Sequence, residues 1–467
     1  MNSCSQRVRV LCACFAFMVV TGCATPATKP TPPAPNIAER TGALMRDLAD
    51  RNLFQGAVVI GRAGRIEYAA GLGFADRERQ VLFTPDTPND GGSIAKTFTA
   101  ASLLMLASEG RINLEAPVRE IIPGYPHAAT RVRHLIAHSA GLPDYGWLDK
   151  RVPAGEVRAN ASHLELIARG APTPTFLPGS AYAYDNVAYD VAAMVIERTA
   201  GMSYAEFVAV RFARPLGLSA FVRPARLVDW PGTRTRGYRR TTTGWQDHDA
   251  EDLEGFHGGG NIYLSARDLY GWVAGYRRVV GVEASRAAVS PARLDDGRTT
   301  GLTMGSWYVA DDGNRRYYTG HHNGFHNFGY ADDSANLAIA WVANDAPPAW
   351  LQAALGRALI AIAEGREPER LHAPAAAKMP ADTSGTYRIP AVGELQVITS
   401  PGDARRMRVR LRDVEYAAFP AGQGVRYVPG LDAYLRFTPA EEDGVALSWD
   451  SVFTVSQPVA RERGEKR

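Results

Sequence analysis

The chain has 467 residues, a formal net charge of +3 at pH 7 and a hydrophobic fraction of 46%. That length suffices for two or three domains, or for one large domain with a small one. The small charge, without a basic run of interleaved aromatic residues, argues against nucleic-acid binding. All four cysteines lie within the first 23 residues, so no internal disulfide is expected in the body of the protein.

The chain begins with the pattern of a signal peptide, predicted over residues 1–22. Arg7 and Arg9 supply a charged start, and the apolar run that follows is too short to span a bilayer as a stable helix. The run ends in Val-Thr-Gly-Cys, which resembles the lipobox of bacterial lipoproteins, so we expect cleavage before Cys23 and a lipid on its thiol. The alternative is an ordinary cleavage site followed by an unrelated cysteine. Ala24 is typical of lipoproteins sent to the outer membrane, in a cell that has two membranes.

The folded body follows a proline-rich tether over residues 23–37, whose composition favours extended backbone. Apolar periodicity, turn residues and helix-ending glycines predict the elements of a main domain over residues 38–372. In chain order these are a helix over 38–52, a hairpin over 54–73, helices over 93–109 and 187–200, adjacent strands over 315–344 and a helix over 350–362.

The pattern changes after an Ala/Pro-rich seam at residues 373–380. Short runs of alternating polar and apolar residues replace the helical spacing. This change predicts a separate all-β domain over residues 378–467, a small barrel or sandwich.

Ser93 and Lys96 form an S-x-x-K motif at the start of a predicted helix. Residues three apart share a helix face, so Lys96 projects beside Ser93. A serine hydroxyl is a weak nucleophile until a neighbouring base takes its proton, and a desolvated lysine can help to remove it. The helix N-terminus also favours negative charge on an attacked carbonyl. Because serine and lysine are common, the motif taken alone is more often a chance pairing.

The sequence around this motif resembles that of the beta-lactamase-like serine hydrolases. This family includes class C beta-lactamases, D-alanyl-D-alanine carboxypeptidases, D-amino-acid peptidases and certain esterases. The matching stretches cover roughly residues 40–365 in the family's order: GGSIAKTFTAASLLMLASEG (91–110), RHLIAHSAGLPDY (133–145), FLPGSAYAYDNVAYDVAAMVIERTAG (176–201), RPLGL (214–218), GGGNIYLSARDL (258–269) and YYTGHHNGF (317–325). The resemblance implies an α/β fold, in which an antiparallel sheet flanked by helices lies beside a helical lobe. It also implies that Ser93 is the nucleophile.

Tyr184, Asp185 and Asn186 match the family's Y-x-N motif. Alternation on an extended loop would point Tyr184 and Asn186 the same way. The resemblance implies that Tyr184 moves protons between Ser93, the leaving group and the deacylating water, and that Asn186 donates to a substrate carbonyl. A packed aromatic residue and a helix N-cap are the structural alternatives. Asp185 replaces the family's more frequent serine.

The family's third motif, K-x-G or H-x-G on a strand, has two competing registers. His322 begins an H-x-G match that ends at Gly324, and this glycine would let the strand approach the substrate. In this preferred register the N–H groups of Ser93 and Phe325 would form the oxyanion hole. A motif that starts at His321 is the alternative, and it sets an asparagine where the family has glycine.

No metal site is expected from the histidines near residues 321–326, because paired cysteines, an H-E-x-x-H pattern and a nearby carboxylate pattern are lacking. His138 is expected to be a structural loop residue. The glycines at 258–260 lack the strand and helix context of a phosphate loop.

These patterns predict a serine hydrolase that forms an acyl-enzyme on an amide, ester or lactam carbonyl, without a cofactor. Expected substrates are small molecules or peptides, with peptidoglycan-derived ones among the candidates. Peptidase, esterase and beta-lactamase chemistry all remain open, because small changes in such a site choose among them. The alternative from another class is a non-catalytic binding protein of the cell envelope. The expected location is the cell envelope, where the lipid would hold the chain on the periplasmic face of the outer membrane.

Overall fold

The computed structural model describes residues 36–462, apart from residues 153–155, 157, 171, 225, 227–228, 231, 242, 250–253, 375–378, 401–402, 423 and 441–443. The predicted signal peptide, Cys23 and nearly all of the tether lie outside the described residues. None of the described helices is both long enough and apolar enough to cross a membrane.

Six antiparallel strands form the central sheet, in the order β3-β4-β5-β6-β1-β2. Their bounds are β1 Gly56–Arg62, β2 Arg65–Leu72, β3 Tyr308–Val309, β4 Arg315–His322, β5 Phe325–Asp332 and β6 Leu337–Ala343. Every residue of β5 and β6 is buried. Both strands are therefore covered on their two faces, and β6 accordingly consists of apolar residues alone.

Within the described part of the chain, seven helices of seven or more residues surround this sheet and build the lobe beside it. They are α1 Ile37–Asp50, α2 Ala95–Ser108, α3 Asn160–Gly170, α4 Val187–Ala200, α5 Ala266–Val280, α6 Val282–Ala288 and α7 Ala349–Ala363. Shorter helices are Val118–Ile121, Val132–Ile136, Tyr145–Asp149, Tyr204–Val208 and Arg214–Leu216, with a 3₁₀ turn at Gly92–Ile94 and a π turn at Ala209–Ala213. Short strands are Phe74–Asp76, Val81–Leu82, Asn89–Asp90, Arg158–Ala159, Phe221–Val222, Tyr238–Thr241, Gly244–Asp247, Glu254–Gly255, Ile262–Leu264, Pro291–Arg293 and Thr299–Thr303.

Helices α5 and α7 pack on opposite faces of the central sheet. A Cβ atom on Gly329 of β5 would lie 2.9 Å from Val273 of α5. A Cβ atom on Gly356 of α7 would lie 3.1 Å from the ring of Phe328, the neighbouring residue of β5. Since successive strand residues point to opposite faces, the two helices enclose the sheet between them.

Helix α2 lies at the centre of the helical lobe. Its residues from Ala95 to Leu106 are all buried, and Phe98 stacks on Trp272 of α5 with ring centroids 3.8 Å apart. The neighbouring helix α4 ends at Gly201, whose φ of +72° is the left-handed conformation expected of a glycine cap. This packing fixes the start of α2, which carries Ser93, against the sheet.

The C-terminal part of the chain is an eight-stranded antiparallel sheet in which the strands follow one another in sequence order. Its strands are β7 Gly385–Ile389, β8 Gly393–Ser400, β9 Asp403–Leu411, β10 Val414–Pro420, β11 Val425–Val428, β12 Ala433–Ala440, β13 Gly444–Asp450 and β14 Val459–Ala460. The Glu462 N–H just after β14 donates to the Thr386 carbonyl of β7 at 2.8 Å. The sheet thus curls back on itself around its own apolar core, which includes Tyr387, Leu435 and Phe437.

The predicted fold class is confirmed: an antiparallel sheet flanked by helices, a helical lobe and a C-terminal all-β sheet are all present. From Asn36 onward the chain forms one compact unit. Division into two domains at residues 372 and 378 remains a prediction.

Candidate active site

Ser93 lies in the 3₁₀ turn that leads into α2, and two glycines before it allow a close approach to the sheet. Gly92 has a φ of +51°, and a Cβ atom there would lie within 2.9 Å of the backbone of His321. A Cβ atom on Gly91 would lie 2.7 Å from the Ile262 carbonyl oxygen. The turn therefore requires glycine at both positions, and it holds Ser93 beside strand β4.

The Lys96 side chain is fully buried and makes three hydrogen bonds. Its Nζ donates to Ser93 Oγ at 3.1 Å, to Asn186 Oδ1 at 2.7 Å and to the Gly259 carbonyl oxygen at 2.8 Å. Three acceptors match the three hydrogens of an ammonium group. Lys96 Nζ therefore has one acceptor for each hydrogen of an ammonium group, and Ser93 Oγ is one of the three.

Tyr184 is the second group that contacts Ser93. Its hydroxyl donates to Ser93 Oγ at 2.9 Å, and Lys96 Nζ lies 5.0 Å from the centroid of its ring. The ring of His138 stacks on the ring of Tyr184, with centroids 4.5 Å apart. A positive charge at this position would favour negative charge on the tyrosine oxygen, which suits proton transfer between Tyr184 and Ser93.

His138 has a structural place in this arrangement. Its Nδ1 accepts a hydrogen bond from the Asp185 N–H at 3.0 Å. Burial, with the Lys96 cation nearby, holds the pKa of the imidazole well below its usual value. His138 is therefore neutral and supports the ring of Tyr184.

Asn186 precedes α4, but its side chain does not cap the helix. Its Oδ1 accepts from Lys96, whereas Asp185 Oδ1 accepts from the Ala188 N–H at 3.0 Å. The capping role considered for Asn186 is thus filled by Asp185. The Asn186 side chain remains at the cavity wall beside Ser93.

The two histidines at the end of β4 have different partners. His322 Nδ1 lies 2.7 Å from Asp90 Oδ2, and Asp90 Oδ1 accepts from the Gly92 N–H at 2.8 Å. Burial of Asp90 opposes its ionisation, but His322 and the Gly92 N–H outweigh that effect and lower the pKa of the carboxyl. His321 Nε2 lies 2.8 Å from His326 Nε2. The two neighbouring side chains therefore diverge, as alternation along a strand requires.

Gly324 and Phe325 are not beside the nucleophile. Asn323 and Gly324 form the two-residue turn between β4 and β5, and the Gly324 N–H donates to the His248 carbonyl at 3.1 Å. Among the described residues, neither Gly324 nor Phe325 lines the cavity around Ser93. The Asn-Gly pair is a common hairpin signal that could have revealed this turn.

The backbone that adjoins Ser93 is that of Gly320 and His321. A Cβ atom on Gly320 would lie 2.1 Å from the Gly91 carbonyl oxygen, so the strand touches the turn before the nucleophile. Strand β3 pairs with β4 only at Arg316 and Tyr317. The outer edge of β4 beyond these residues faces the cavity without a partner strand among the described residues.

Around Ser93 the structure forms a cavity of about 360 Å³. Its lining residues come from the helical lobe, the central sheet and the C-terminal sheet. They are Gly92, Ser93, Tyr145, Arg158, Tyr184, Asn186, Phe256, Gly259, Gly260, Asn261, Tyr308, Tyr318, Thr319, His321, His322, Tyr427 and Pro429. No cluster of three or more potential metal ligands occurs in the described part of the chain.

Several of these residues were not found from the sequence. Gly259, whose carbonyl accepts from Lys96, belongs to the visible run of three glycines at 258–260. Tyr318, whose hydroxyl lies 3.4 Å from that of Tyr184, and Asp90 belong to no motif that we recognised. Tyr427 and Pro429 come from the C-terminal sheet, far away in the sequence.

Comparison with known proteins agrees with this geometry. Residues 42–364 match the family model described as Beta-lactamase. The chain belongs to the beta-lactamase family of serine hydrolases.

Two curated relatives illustrate the similarity. The first is Penicillin-binding protein 4* of Bacillus subtilis strain 168, which is 26% identical over 296 residues, or 60% of this chain and 65% of the relative. The second is the teichoic acid D-alanine hydrolase of Staphylococcus aureus strain MRSA252, which is 30% identical over 227 residues, or 47% of this chain and 53% of the relative. The matches thus span about half to two thirds of the length of these relatives.

A solved structure has the same fold over most of the chain. The octameric penicillin-binding protein homologue from Pyrococcus abyssi superposes with a TM-score of 0.59 at 18% sequence identity. The superposition covers 91% of this chain and 99% of that one. At this identity the likeness concerns the fold alone.

Proposed function

We propose that the protein hydrolyses an amide, ester or lactam carbonyl through an acyl-enzyme on Ser93. The observation that carries this proposal is the convergence of two polar groups on Ser93 Oγ, with Lys96 Nζ at 3.1 Å and the Tyr184 hydroxyl oxygen at 2.9 Å. A nucleophile, a base and a cation that supports the base are the parts that covalent catalysis by serine needs.

The reaction proceeds in two balanced halves. Tyr184, with its phenolate form stabilised by Lys96, accepts the Ser93 proton while Oγ bonds to the substrate carbonyl carbon. The resulting oxyanion faces the Ser93 N–H and the free edge of β4 at His321, which takes the place considered for Phe325. The tetrahedral intermediate collapses, the bond to the leaving group breaks, and Tyr184 returns the proton to the leaving group. Water then repeats the sequence on the acyl-enzyme and releases the acid.

The named relatives support a carbonyl substrate of the cell envelope. One is a penicillin-binding protein and the other is named for the hydrolysis of D-alanine from teichoic acid. We therefore propose small molecules or peptides as substrates, with peptidoglycan-derived ones among the candidates. We also propose that Cys23 carries a lipid and holds the protein at the periplasmic face of the outer membrane.

The test is replacement of the nucleophile. Ser93→Ala should abolish turnover and covalent labelling by a fluorophosphonate or a labelled penicillin, while the melting temperature stays near that of the wild type. The matched control is Ser108→Ala, a serine of α2 whose hydroxyl donates to the Met105 carbonyl of its own helix. Substrates would be screened as nitrocefin, p-nitrophenyl esters and D-amino-acid peptides. Full activity in folded Ser93→Ala would contradict the proposal, and failure of wild type to react with any of these probes would favour the non-catalytic binding protein.

A further inference from the structure

The C-terminal sheet contributes to the wall of the active-site cavity. Tyr427 lies in β11 and Pro429 directly follows that strand, and both line the cavity that contains Ser93. The ring of Tyr427 lies 5.6 Å from the ring of His321, measured between centroids. A substrate in the cavity would therefore contact residues of the C-terminal sheet as well as residues of the helical lobe and the central sheet.

A buried carboxylate joins Tyr427 to the strand beside the nucleophile. The Tyr427 hydroxyl donates to Asp432 Oδ1 at 2.8 Å, and Thr319 Oγ1 of β4 donates to the same oxygen at 3.3 Å. Asp432 is only 3% exposed. The position of the Tyr427 ring is thus set relative to β4, two residues from the His321 backbone that adjoins Ser93.

The loop after β11 is held against the rest of the protein by its backbone as well. The Tyr308 hydroxyl donates to the Pro429 carbonyl. A Cβ atom on Gly301 would lie 2.2 Å from the Gly430 carbonyl, and one on Gly430 would lie 2.7 Å from Tyr182. These close approaches hold the loop against Gly301 and Tyr182, so it forms a fixed wall of the cavity.

This side of the cavity offers aromatic and neutral surface. Tyr308, Tyr318, Tyr427 and Pro429 supply rings, and burial lowers the pKa of His321 to about 4, so its imidazole is uncharged at neutral pH. Such surfaces bind apolar groups by burying their area. The acyl group is bonded to Ser93 between the two halves of the reaction, so it has to fit within the cavity that contains Ser93.

We propose that Tyr427 is a specificity-determining residue, and that it limits the size of a neutral, apolar acyl group seated between β4 and the loop after β11. This inference rests on the proposed hydrolase function, whose site it deepens. Shortening the side chain should open the cavity to larger acyl groups, and lengthening it should close the cavity to all but small ones.

The experiment compares p-nitrophenyl acetate, butyrate, hexanoate and octanoate on the full-length protein. We expect Tyr427→Ala to raise the ratio of kcat/KM for octanoate to that for acetate by about tenfold. Tyr427→Trp should move the ratio in the opposite direction. Tyr427→Phe keeps the ring and should stay near the wild-type ratio. The control is Phe437→Leu, which loosens the core of the same sheet without touching the cavity and should leave the ratio unchanged.

The outcomes separate the two proposals. An active wild type whose ratio is unchanged in both Tyr427→Ala and Tyr427→Trp overturns the specificity role alone, and so does an equal change in Phe437→Leu. A second series of acetate esters with different leaving groups tests whether Tyr427 acts on the acyl group. A change in kcat/KM that the Tyr427 variants show only in this second series would overturn the acyl assignment. If Tyr427→Ala does not fold, Tyr427→Trp decides by itself. A wild type that neither hydrolyses any ester nor reacts with a fluorophosphonate overturns both proposals.

Discussion

His322 is linked to the backbone beside Ser93 through a chain of two contacts. It pairs with Asp90, which in turn accepts from the N–H of Gly92, the residue before Ser93. Removal of the imidazole leaves a fully buried carboxylate without its partner, and such a carboxylate is costly. We therefore predict that His322→Ala lowers kcat/KM by roughly 10²-fold, about 3 kcal/mol of transition-state stabilisation.

His321→Ala is the matched comparison and should cost much less. Its imidazole contacts His326, and the part of His321 that adjoins Gly92 is backbone, which the substitution keeps. The measurement is steady-state kinetics of both variants on the best substrate, with melting temperatures matched. A large loss in His321→Ala beside a nearly normal His322→Ala would reverse the assignment.

Asp185 should make stability depend on pH. Burial raises the pKa of its carboxyl to about 7, and the nearby Asp190 adds to that effect against several backbone N–H groups. A folded-state pKa above the unfolded value gives stability that is present at low pH and is lost as the pH rises through about 7. Asp185→Asn removes this titration and keeps an oxygen for the Ala188 N–H.

The predicted result for Asp185→Asn is a gain in the free energy of unfolding at pH 8 relative to pH 5, on the order of 1–2 kcal/mol, which raises the melting temperature at pH 8. Thermal melts of both proteins across that range provide the measurement. Equal differences at pH 5 and pH 8 would contradict a pKa near 7 for this carboxyl in the folded protein.

The site could be predicted where short spacing decides it. Ser93 and Lys96 are one helical turn apart, and Tyr184 and Asn186 are two residues apart, so the motifs carry their geometry with them. The position of Gly324 could not be predicted in the same way, because it depends on where β4 ends and on which backbone the turn at Gly91–Gly92 touches.

At the scale of elements, the contact between β4 and the turn before Ser93 determines the width of the cavity. Gly320→Ala would place a Cβ atom 2.1 Å from the Gly91 carbonyl, which is backbone and cannot rotate away. Strand β4 would then have to move away from Ser93. We expect kcat/KM to fall at least about 100-fold, with a lower melting temperature.

Gly42→Ala in α1 is the control for this change. Its nearest neighbour is the flexible end of Arg46, at 3.1 Å from the added Cβ, so both activity and stability should stay close to wild type. Kinetics and thermal melts decide, and a normal rate in Gly320→Ala would mean that the contact does not govern the site.

Most elements follow from local signals in the sequence. Helix α4 occupies residues 187–200 as predicted, because Gly201 ends it, and the hairpin of β1 and β2 turns at Ala63 and Gly64. Sheet order has no such local signal. The packing of α5 and α7 on opposite faces depends on pairings between distant segments.

At the scale of the whole molecule, the proposed attachment to a membrane depends on Cys23, which precedes the compact unit. Cys23→Ser should prevent lipidation and release the protein from the membrane fraction, because the other cysteines lie within the predicted signal peptide. Mass spectrometry of the wild-type protein is the measurement. Absence of a lipid on the mature N-terminus would contradict the anchor.

The strand order of the central sheet also has a consequence for the synthesis of the protein. Strand β1 lies between β2 and β6, with Gly56 opposite Ala343. The edge of β1 that pairs with β6 therefore stays unpaired until nearly three quarters of the chain has been synthesised. Closing so long a loop slows folding. The strands of the C-terminal sheet, by contrast, each pair with the strand made just before them. The C-terminal sheet can thus fold quickly. The central sheet folds more slowly, and a chaperone would need to protect it until it has formed.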